Sequence, residues 1–265
     1  MALWSTQFAD GVVVARYGHP PMNYFCAEGA QELARLIEQW RAPEVRAIVL
    51  CGVPGGAFIT HYSVEELLAL ASDDEQLRSV GTALNRGYHA LLLALRDLPK
   101  VVIAAMNGNT MGGGLELSLA CDIRVGERGD YRYGFPEVRL GIIPGGSGTQ
   151  RLSRLIGASR AAEFILRSRV VDPDTALALG LIGELADDAL AQACSIAREV
   201  AALPPKAIAC AKRAIYAGSD APLAAGLEIE SAAFLETLLS GDSRKAMQTY
   251  VDLPFAARRR WLERG

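Results

Sequence analysis

The chain has 265 residues, 51% of them hydrophobic and 22% charged, with a formal net charge of -3. That is enough apolar material for a sizeable buried core, as one large domain or one domain with an appendage, and the small negative balance removes the electrostatic case for nucleic acid or an anionic membrane surface as partner. The five cysteines, Cys26, Cys51, Cys121, Cys194 and Cys210, fall in no CxxC and have no histidine at ligand spacing, so reduced thiols in a cytoplasmic protein are expected, and neither a disulfide framework nor a metal site.

The opening MALWSTQFADG lacks a basic flank and a continuous apolar core, so no signal peptide is expected. No stretch approaches the roughly 18 uninterrupted apolar residues of a membrane span. Trp4 to Ala9, Asp10-Gly11 and Val12 to Tyr17 read as a hairpin about a DG turn. After the GHPPMN loop, Leu33, Leu36, Ile37 and Trp40 lie on one face of a helix spanning residues 27–40. Val45 to Cys51 is a candidate for a buried strand. In GVPGGAFITHYSVEELLALA, Ser63 and Glu66 have capping-box spacing ahead of an apolar helical run. A long helical stretch, Gln76 to Leu98, then leads to Val101.

Val101 to Glu137 reads VVIAAMNGNTMGGGLELSLACDIRVGERGDYRYGFPE. The six-residue apolar run Val101 to Met106 suits a strand buried on both faces. Asn107-Gly108 ends it, and Gly112, Gly113 and Gly114 lead into LELSLACDI, predicting a strand, a glycine turn and a helix N-terminus. Glycine lets another group approach the backbone, and the first peptide N–H groups of a helix are left unpaired. Such groups, with the positive end of the helix dipole, can stabilise a developing oxyanion. Glu116 falls in the first turn of that apolar helix, where an unpaired carboxylate is costly unless water or substrate reaches it. Glu137 is a second acid in largely apolar company. Two carboxyls sharing such a pocket can differ in protonation, which suits a reaction needing an acid and a base.

Beyond Glu137, LGIIPGGSGTQRLSRLIG reads as a loop and a helix. Asp172-Pro173 opens a further helix and Gly180 closes it. From about Asp188 the pattern is helical, divided at Pro204-Pro205, Pro222, Gly241 and Pro254. Strand and helix stop alternating there, which divides the chain into a core, residues 1–200, and a helical C-terminal region, residues 201–265. Two motifs fail: Gly145-Gly146-Ser147-Gly148-Thr149 lacks the last glycine of a nucleophile elbow, and Leu117 stands where G-x-G-x-x-G needs glycine. His19 and His89 are isolated and read as structural.

MGGGLELSLACDI followed by FPEVRLGIIPGGSGTQRL resembles the double signature of the crotonase (enoyl-CoA hydratase/isomerase) superfamily, and the likeness extends with gaps over nearly the whole chain. It implies an α/β fold, a spiral of β-β-α repeats, with C-terminal helices that assemble a homotrimer or a dimer of trimers. The implied activity is enoyl-CoA hydration on an acyl-CoA substrate, without metal or redox cofactor. Glu116 would activate the water that attacks the β-carbon, and Glu137 would deliver a proton to the α-carbon. The peptide N–H groups of Tyr62 and Gly113 would form the oxyanion hole. Thr60, Tyr62, Ser63, Val64, Gly112, Gly113 and Pro136 would contact the CoA thioester. Having both glutamates favours hydration over an isomerase, another acyl-CoA lyase or hydrolase, or a non-catalytic acyl-CoA-binding scaffold.

The resemblance weakens at two places. The first loop reads Phe58-Ile59-Thr60-His61-Tyr62-Ser63-Val64 where the family pattern is close to F-x-A-G-A-D-[IL]. The N–H of residue 62 survives any side-chain change, and Ser63 can still cap the helix. His61 reads as a polar or packing residue rather than a third acid/base, and Tyr62 as able to line or narrow the acyl site. Near the C-terminus Tyr250 and Phe255 keep the aromatic pattern, but Leu253 and Pro254 replace the usual basic residues. Arg258, Arg259 and Arg260 could contact CoA phosphates, although a solvated face is the preferred reading.

Overall fold

The computed structural model describes residues 2–263. Strands β1 (Trp4–Ala9) and β2 (Val12–Tyr17) form the hairpin, in a register that sets Trp4 opposite Tyr17 and Ala9 opposite Val12. Asp10 and Gly11 both take positive φ, 51° and 78°, the mirror-image turn whose twist matches two right-twisted strands. Helix α1 (Ala27–Gln39) follows and buries Gly29, Leu33 and Ile37.

From there the chain repeats a unit of two strands and a helical segment. The first unit is β3 (Ala47–Gly52) and β4 (Ala57–Ile59), with α2 (Val64–Ala71), α3 (Asp74–Val80) and α4 (Arg86–Arg96). The second is β5 (Val101–Met106), β6 (Asn109–Met111) and α5 (Gly113–Ala120). The third is β7 (Ile123–Glu127) and β8 (Tyr133–Gly134), with α6 (Gly148–Ile156) and α7 (Ala158–Leu166). Each unit gives its first strand to one sheet and its second to another, and this winds the chain into a spiral. Strands β9 (Val170–Val171) and β10 (Glu184–Ala186), on either side of α8 (Pro173–Leu179), complete the two sheets. Their orders are β1-β2-β3-β5-β7-β10 and β4-β6-β8-β9. All pairings are parallel except β1 with β2 and β8 with β9.

Parallel β3 and β5 are covered on both faces, which explains their unbroken apolar sequences. Ile48, Leu50, Val102, Ala104 and Met106 face the main core. Ala47, Val49, Cys51, Ile103 and Ala105 face helix α9 (Ala189–Ala201), which meets them with Ala189, Ala193 and Ala197. Alanine at every fourth position lets that helix lie close on the sheet.

The stretch expected as one helix from Gln76 to Leu98 is broken. Gly81, with φ of 54°, ends α3 by donating its N–H to Leu77 O, a single 3-10 turn follows, and α4 restarts after Asn85. The short strand β6 also intervenes between β5 and the glycine turn, where only a turn was expected.

The C-terminal helices are α10 (Pro205–Ser219), α11 (Leu223–Leu238), α12 (Gly241–Asp252) and α13 (Phe255–Leu262). Helix α10 is tied to the core through Asp122, the residue that follows α5 and Cys121. One Asp122 oxygen accepts from the Val102 N–H and from Lys212 Nζ, both at 2.7 Å, and the other from the Tyr216 hydroxyl at 2.9 Å. A largely buried ion pair is tolerated when, as here, further hydrogen bonds satisfy the carboxylate. In contrast, α11 leaves Leu223, Leu227, Phe234 and Leu235 at least half exposed.

Candidate active site

Helix α5 places Glu116. All eight of its residues are buried, and the glycine turn before it allows that depth. Gly112 has φ of 48°, a left-handed conformation that suits glycine. A Cβ on Gly114 would sit 2.2 Å from Ile59 O, so a side chain there would push α5 off β4. Glu116 Oε1 accepts the Gly148 N–H at 2.7 Å, and only 3% of the residue is exposed. The GGSGT segment that fails as a nucleophile motif thus wraps the carboxyl with its backbone.

Glu137 opens a single 3-10 turn, Glu137–Leu140, after Pro136. Its Oε2 is the only buried side-chain polar atom without a hydrogen-bond partner among the described residues, and its Oε1 would lie 3.0 Å from a Cβ on Gly112. Glu137 therefore lies against the glycine turn that leads to Glu116. Burial pushes the Glu116 carboxyl up to about 7, opposed by the peptide groups of Gly148 and Gly146 and by Arg151. Burial also pushes Glu137 up to about 8, opposed by a backbone hydrogen bond of its own and reinforced by the charge of Glu116. Both carboxyls are poised to exchange protons near neutrality, where general acid and base catalysis is most efficient.

Two peptide N–H groups meet beside this pair. Gly113 is the first residue of α5, and Tyr62 lies just before the Ser63 cap of α2. Neither N–H has a hydrogen-bond acceptor among the described residues. A Cβ on Gly113 would fall 3.4 Å from Tyr62 N, so the two donors are adjacent. Two adjacent, unsatisfied donors next to acids of raised pKa are groups of the kind that can hold an oxygen on which charge develops.

The loop carrying Tyr62 is held by its side chains. Phe25 pairs with it as a bridge, donating to His61 O at 2.8 Å and accepting from the Ser63 N–H at 2.7 Å. The His61 ring stacks on Tyr24 at 4.3 Å, with Nδ1 at 2.7 Å from Tyr62 O, and makes no hydrogen bond to either carboxyl. Ser63 Oγ caps α2 by accepting from the Glu66 N–H at 3.2 Å. The capping box is only half formed, because the Glu66 carboxylate turns away to accept from the Ala27 N–H and the Tyr62 hydroxyl, at 3.0 and 2.7 Å.

The expected CoA contacts divide into two groups. Thr60 spends its hydroxyl on Met22 O, its N–H on Asn23 O and its carbonyl on the Met111 N–H, and Ser63 is committed to its cap, so both side chains serve the fold. Of the others, Gly112 lies against Glu137 and Gly113 against Tyr62, Pro136 directly precedes Glu137, and Val64 opens α2. Of the three C-terminal arginines, Arg258 is half-buried: it donates to the carbonyls of Leu253 and Val251 and lies over the Tyr250 ring. Arg259 pairs with Glu263 on the surface.

Tyr88 in α4 escaped the sequence reading, as did the packing of Gly146 and Gly148 around Glu116. The Tyr88 hydroxyl donates to Gly113 O at 3.0 Å. His89 and Asn85, from the same segment, both reach Gly145 O, at 2.8 and 3.0 Å, so His89 holds the fold together as expected. An aromatic residue in an amphipathic helix carries no signal that would separate it from ordinary core.

A two-sheet spiral with a glycine turn, two buried glutamates and paired peptide donors defines a member of the crotonase superfamily. Residues 7–255 match the Enoyl-CoA hydratase/isomerase family. A Bacillus subtilis protein named for the same family, YngF, is 38% identical over 233 residues, covering 87% of each chain. The short-chain-enoyl-CoA hydratase of Clostridium acetobutylicum is 34% identical over 211 residues, 79% of this chain and 78% of its own. The crystal structure of an enoyl-CoA hydratase from Bacillus anthracis superposes with a TM-score of 0.87 at 30% identity, covering 95% of this chain and 96% of that one. The chain belongs to the enoyl-CoA hydratase/isomerase family.

Proposed function

We propose that the protein adds water across the double bond of a trans-2-enoyl-CoA to give a 3-hydroxyacyl-CoA. Ionised Glu116 takes a proton from water as its oxygen bonds to the β-carbon, and protonated Glu137 gives its proton to the α-carbon. The N–H groups of Tyr62 and Gly113 bind the thioester oxygen while it carries the enolate charge. Afterwards Glu116 holds the proton and Glu137 the charge, and exchange with solvent resets the pair. Acid, base and oxyanion donors all come from the chain, so this chemistry calls for no metal or redox cofactor.

The observation that carries this reading is the placement of two buried carboxyls, both pushed up by burial, beside two adjacent peptide donors without acceptors. An acyl-CoA-binding scaffold needs neither acid. CoA contacts fall to the backbone of Tyr62 and Val64, to Gly112 and Gly113, and to Pro136, since the Thr60 and Ser63 side chains are engaged elsewhere. Residues 1–200 form the catalytic spiral, and residues 201–265 assemble a homotrimer or a dimer of trimers through the apolar side chains that α11 exposes. No helix among the described residues is long and apolar enough to cross a membrane, and a cytoplasmic location fits this chemistry.

The test is a panel of trans-2-enoyl-CoA esters, followed by loss of the conjugated thioester absorbance with identification of the product. Formation of a 3-hydroxyacyl-CoA supports the reading. Conversion to a double-bond isomer or to free CoA replaces it with isomerisation or hydrolysis, and binding without turnover replaces it with the scaffold.

A further inference from the structure

The site is walled on the Glu116 side by aromatic rings, and the wall bears on which acyl groups fit. Phe25, Tyr62 and Tyr88 form a triangle with ring centroids 6.0 to 6.3 Å apart. A Cβ on Gly146 would lie 2.1 Å from Tyr88 Cε1 and 2.4 Å from Glu116 Oε2, so ring and carboxyl flank the same point. Tyr88 is fixed there from both sides. Its hydroxyl is anchored on Gly113 O, and its neighbours Asn85 and His89 clamp the Gly145-Gly146 turn against it.

Direction follows from the chemistry assigned above, on which this inference rests. The thioester oxygen lies at the Tyr62 and Gly113 donors, the α-carbon faces Glu137 and the β-carbon faces Glu116. On that assignment the acyl tail continues from the β-carbon past Glu116. The Tyr88 ring stands on that side, packed against Phe25 and Tyr62. We infer that Tyr88 bounds the acyl site beside Glu116 and is the specificity-determining residue that restricts the protein to short acyl groups. The ring excludes the longer tail, and the hydroxyl holds the ring against the turn that carries Gly113.

The experiment compares crotonyl-CoA with trans-2-decenoyl-CoA in the wild type and in Tyr88→Phe, Tyr88→Leu and Tyr88→Ala, with thermal denaturation confirming that each variant is folded. The wild type should favour crotonyl-CoA in kcat/KM by at least about tenfold, the discrimination expected when even one or two methylenes cannot be housed. Tyr88→Phe keeps the ring, so it should keep that preference while kcat falls several-fold. Tyr88→Leu and Tyr88→Ala should lower the crotonyl preference by about tenfold or more. A wild type that hydrates both esters equally well, or folded Leu and Ala variants that keep the wild-type ratio, would overturn the inference.

Titration with butyryl-CoA and decanoyl-CoA, which cannot be hydrated, reads the same preference as a ratio of Kd values. This separates the two claims. If no enoyl ester is hydrated, the hydratase assignment fails, yet a preference for butyryl-CoA that Tyr88→Leu abolishes still supports Tyr88 as the limit of the acyl site. Equal affinity of the wild type for the two saturated esters would overturn it.

Discussion

Two turns, Met111–Gly114 and Ile59–Val64, each carry the chain from a short strand of the small sheet towards a helix, and each leaves peptide N–H groups without an acceptor, Gly113 among them in the first and Tyr62 in the second. They do this with opposite materials. The first is nearly bare backbone: Gly112 needs its positive φ, and Gly114 lies so close to β4 that a Cβ would strike Ile59 O. The second is dense with side chains, where His61 stacks on Tyr24, Tyr62 packs against Phe25 and Tyr88, and Glu66 ties the Tyr62 hydroxyl to the start of α1. Where backbone meets backbone, geometry leaves no room for another residue. Where side chains hold the loop, other side chains can hold it too, because the functional group is an N–H that every residue except proline carries. This is why the glycine turn matches the family pattern while the FITHYS loop departs from it.

The sharpest way to break the comparison is at the residue the glycine turn delivers. Glu116→Gln should lower kcat for hydration by about 100 to 10,000-fold, the range for a lost general base, with the fold intact by circular dichroism. Gly114→Ala should act next most strongly, by separating the Gly113 and Tyr62 donors; loss of one oxyanion donor costs on the order of 100 to 1,000-fold in rate. Overpacking should also lower stability by about 1 to 3 kcal/mol, readable as a lower Tm. A Gly114→Ala variant with wild-type kcat would show that the turn is not rigid.

The second turn should respond more mildly. Glu66→Ala removes the shared acceptor of Ala27 N and the Tyr62 hydroxyl. It should destabilise by about 1 kcal/mol, the net worth of such hydrogen bonds, while kcat falls far less than in Gly114→Ala. His61→Ala loses a stacked pair worth about 0.5 to 1.5 kcal/mol and should leave kcat within the same order of magnitude. A loss in His61→Ala rivalling that in Glu116→Gln would make His61 a participant in the chemistry.

Stability should report the carboxyl pair independently of activity. A carboxyl whose folded pKa is raised binds its proton more tightly in the native state than in the unfolded state. Stability therefore falls as pH rises from the ordinary value of 4.5, and levels off above about 7 for Glu116 and about 8 for Glu137. Replacing either by glutamine should flatten its part of that fall, so the variants gain stability relative to wild type at pH 8 and not at pH 4. Denaturant titrations at the two pH values measure this.

Much of the scaffold was legible because its signals are local. The DG hairpin, the run Val101–Met106, the Asp172-Pro173 cap and the proline divisions of the C-terminal helices each rest on a few adjacent residues, and each appears where those residues place it. The break at Gly81 to Asn85 was hidden by good helix formers on either side. The strands β6 and β8 are too short to show a period. Glu116 and Glu137 could be singled out as acids among apolar residues, and their approach across the glycine turn could be anticipated only through the family resemblance. Tyr88, Gly146 and Gly148 could not be singled out at all, since their proximity to Glu116 arises from packing between α4, α5 and the turn before α6.

The most direct measurement is the pH dependence of kcat/KM for crotonyl-CoA hydration in the wild type and the two glutamine variants. With Glu116 active when ionised and Glu137 when protonated, the rate should rise through about pH 7 and fall above about pH 8. The residual rate of Glu116→Gln should lose the acid limb, and that of Glu137→Gln the alkaline limb. A profile with no limb near neutrality, or full activity in Glu116→Gln, would contradict the assignment of the pair.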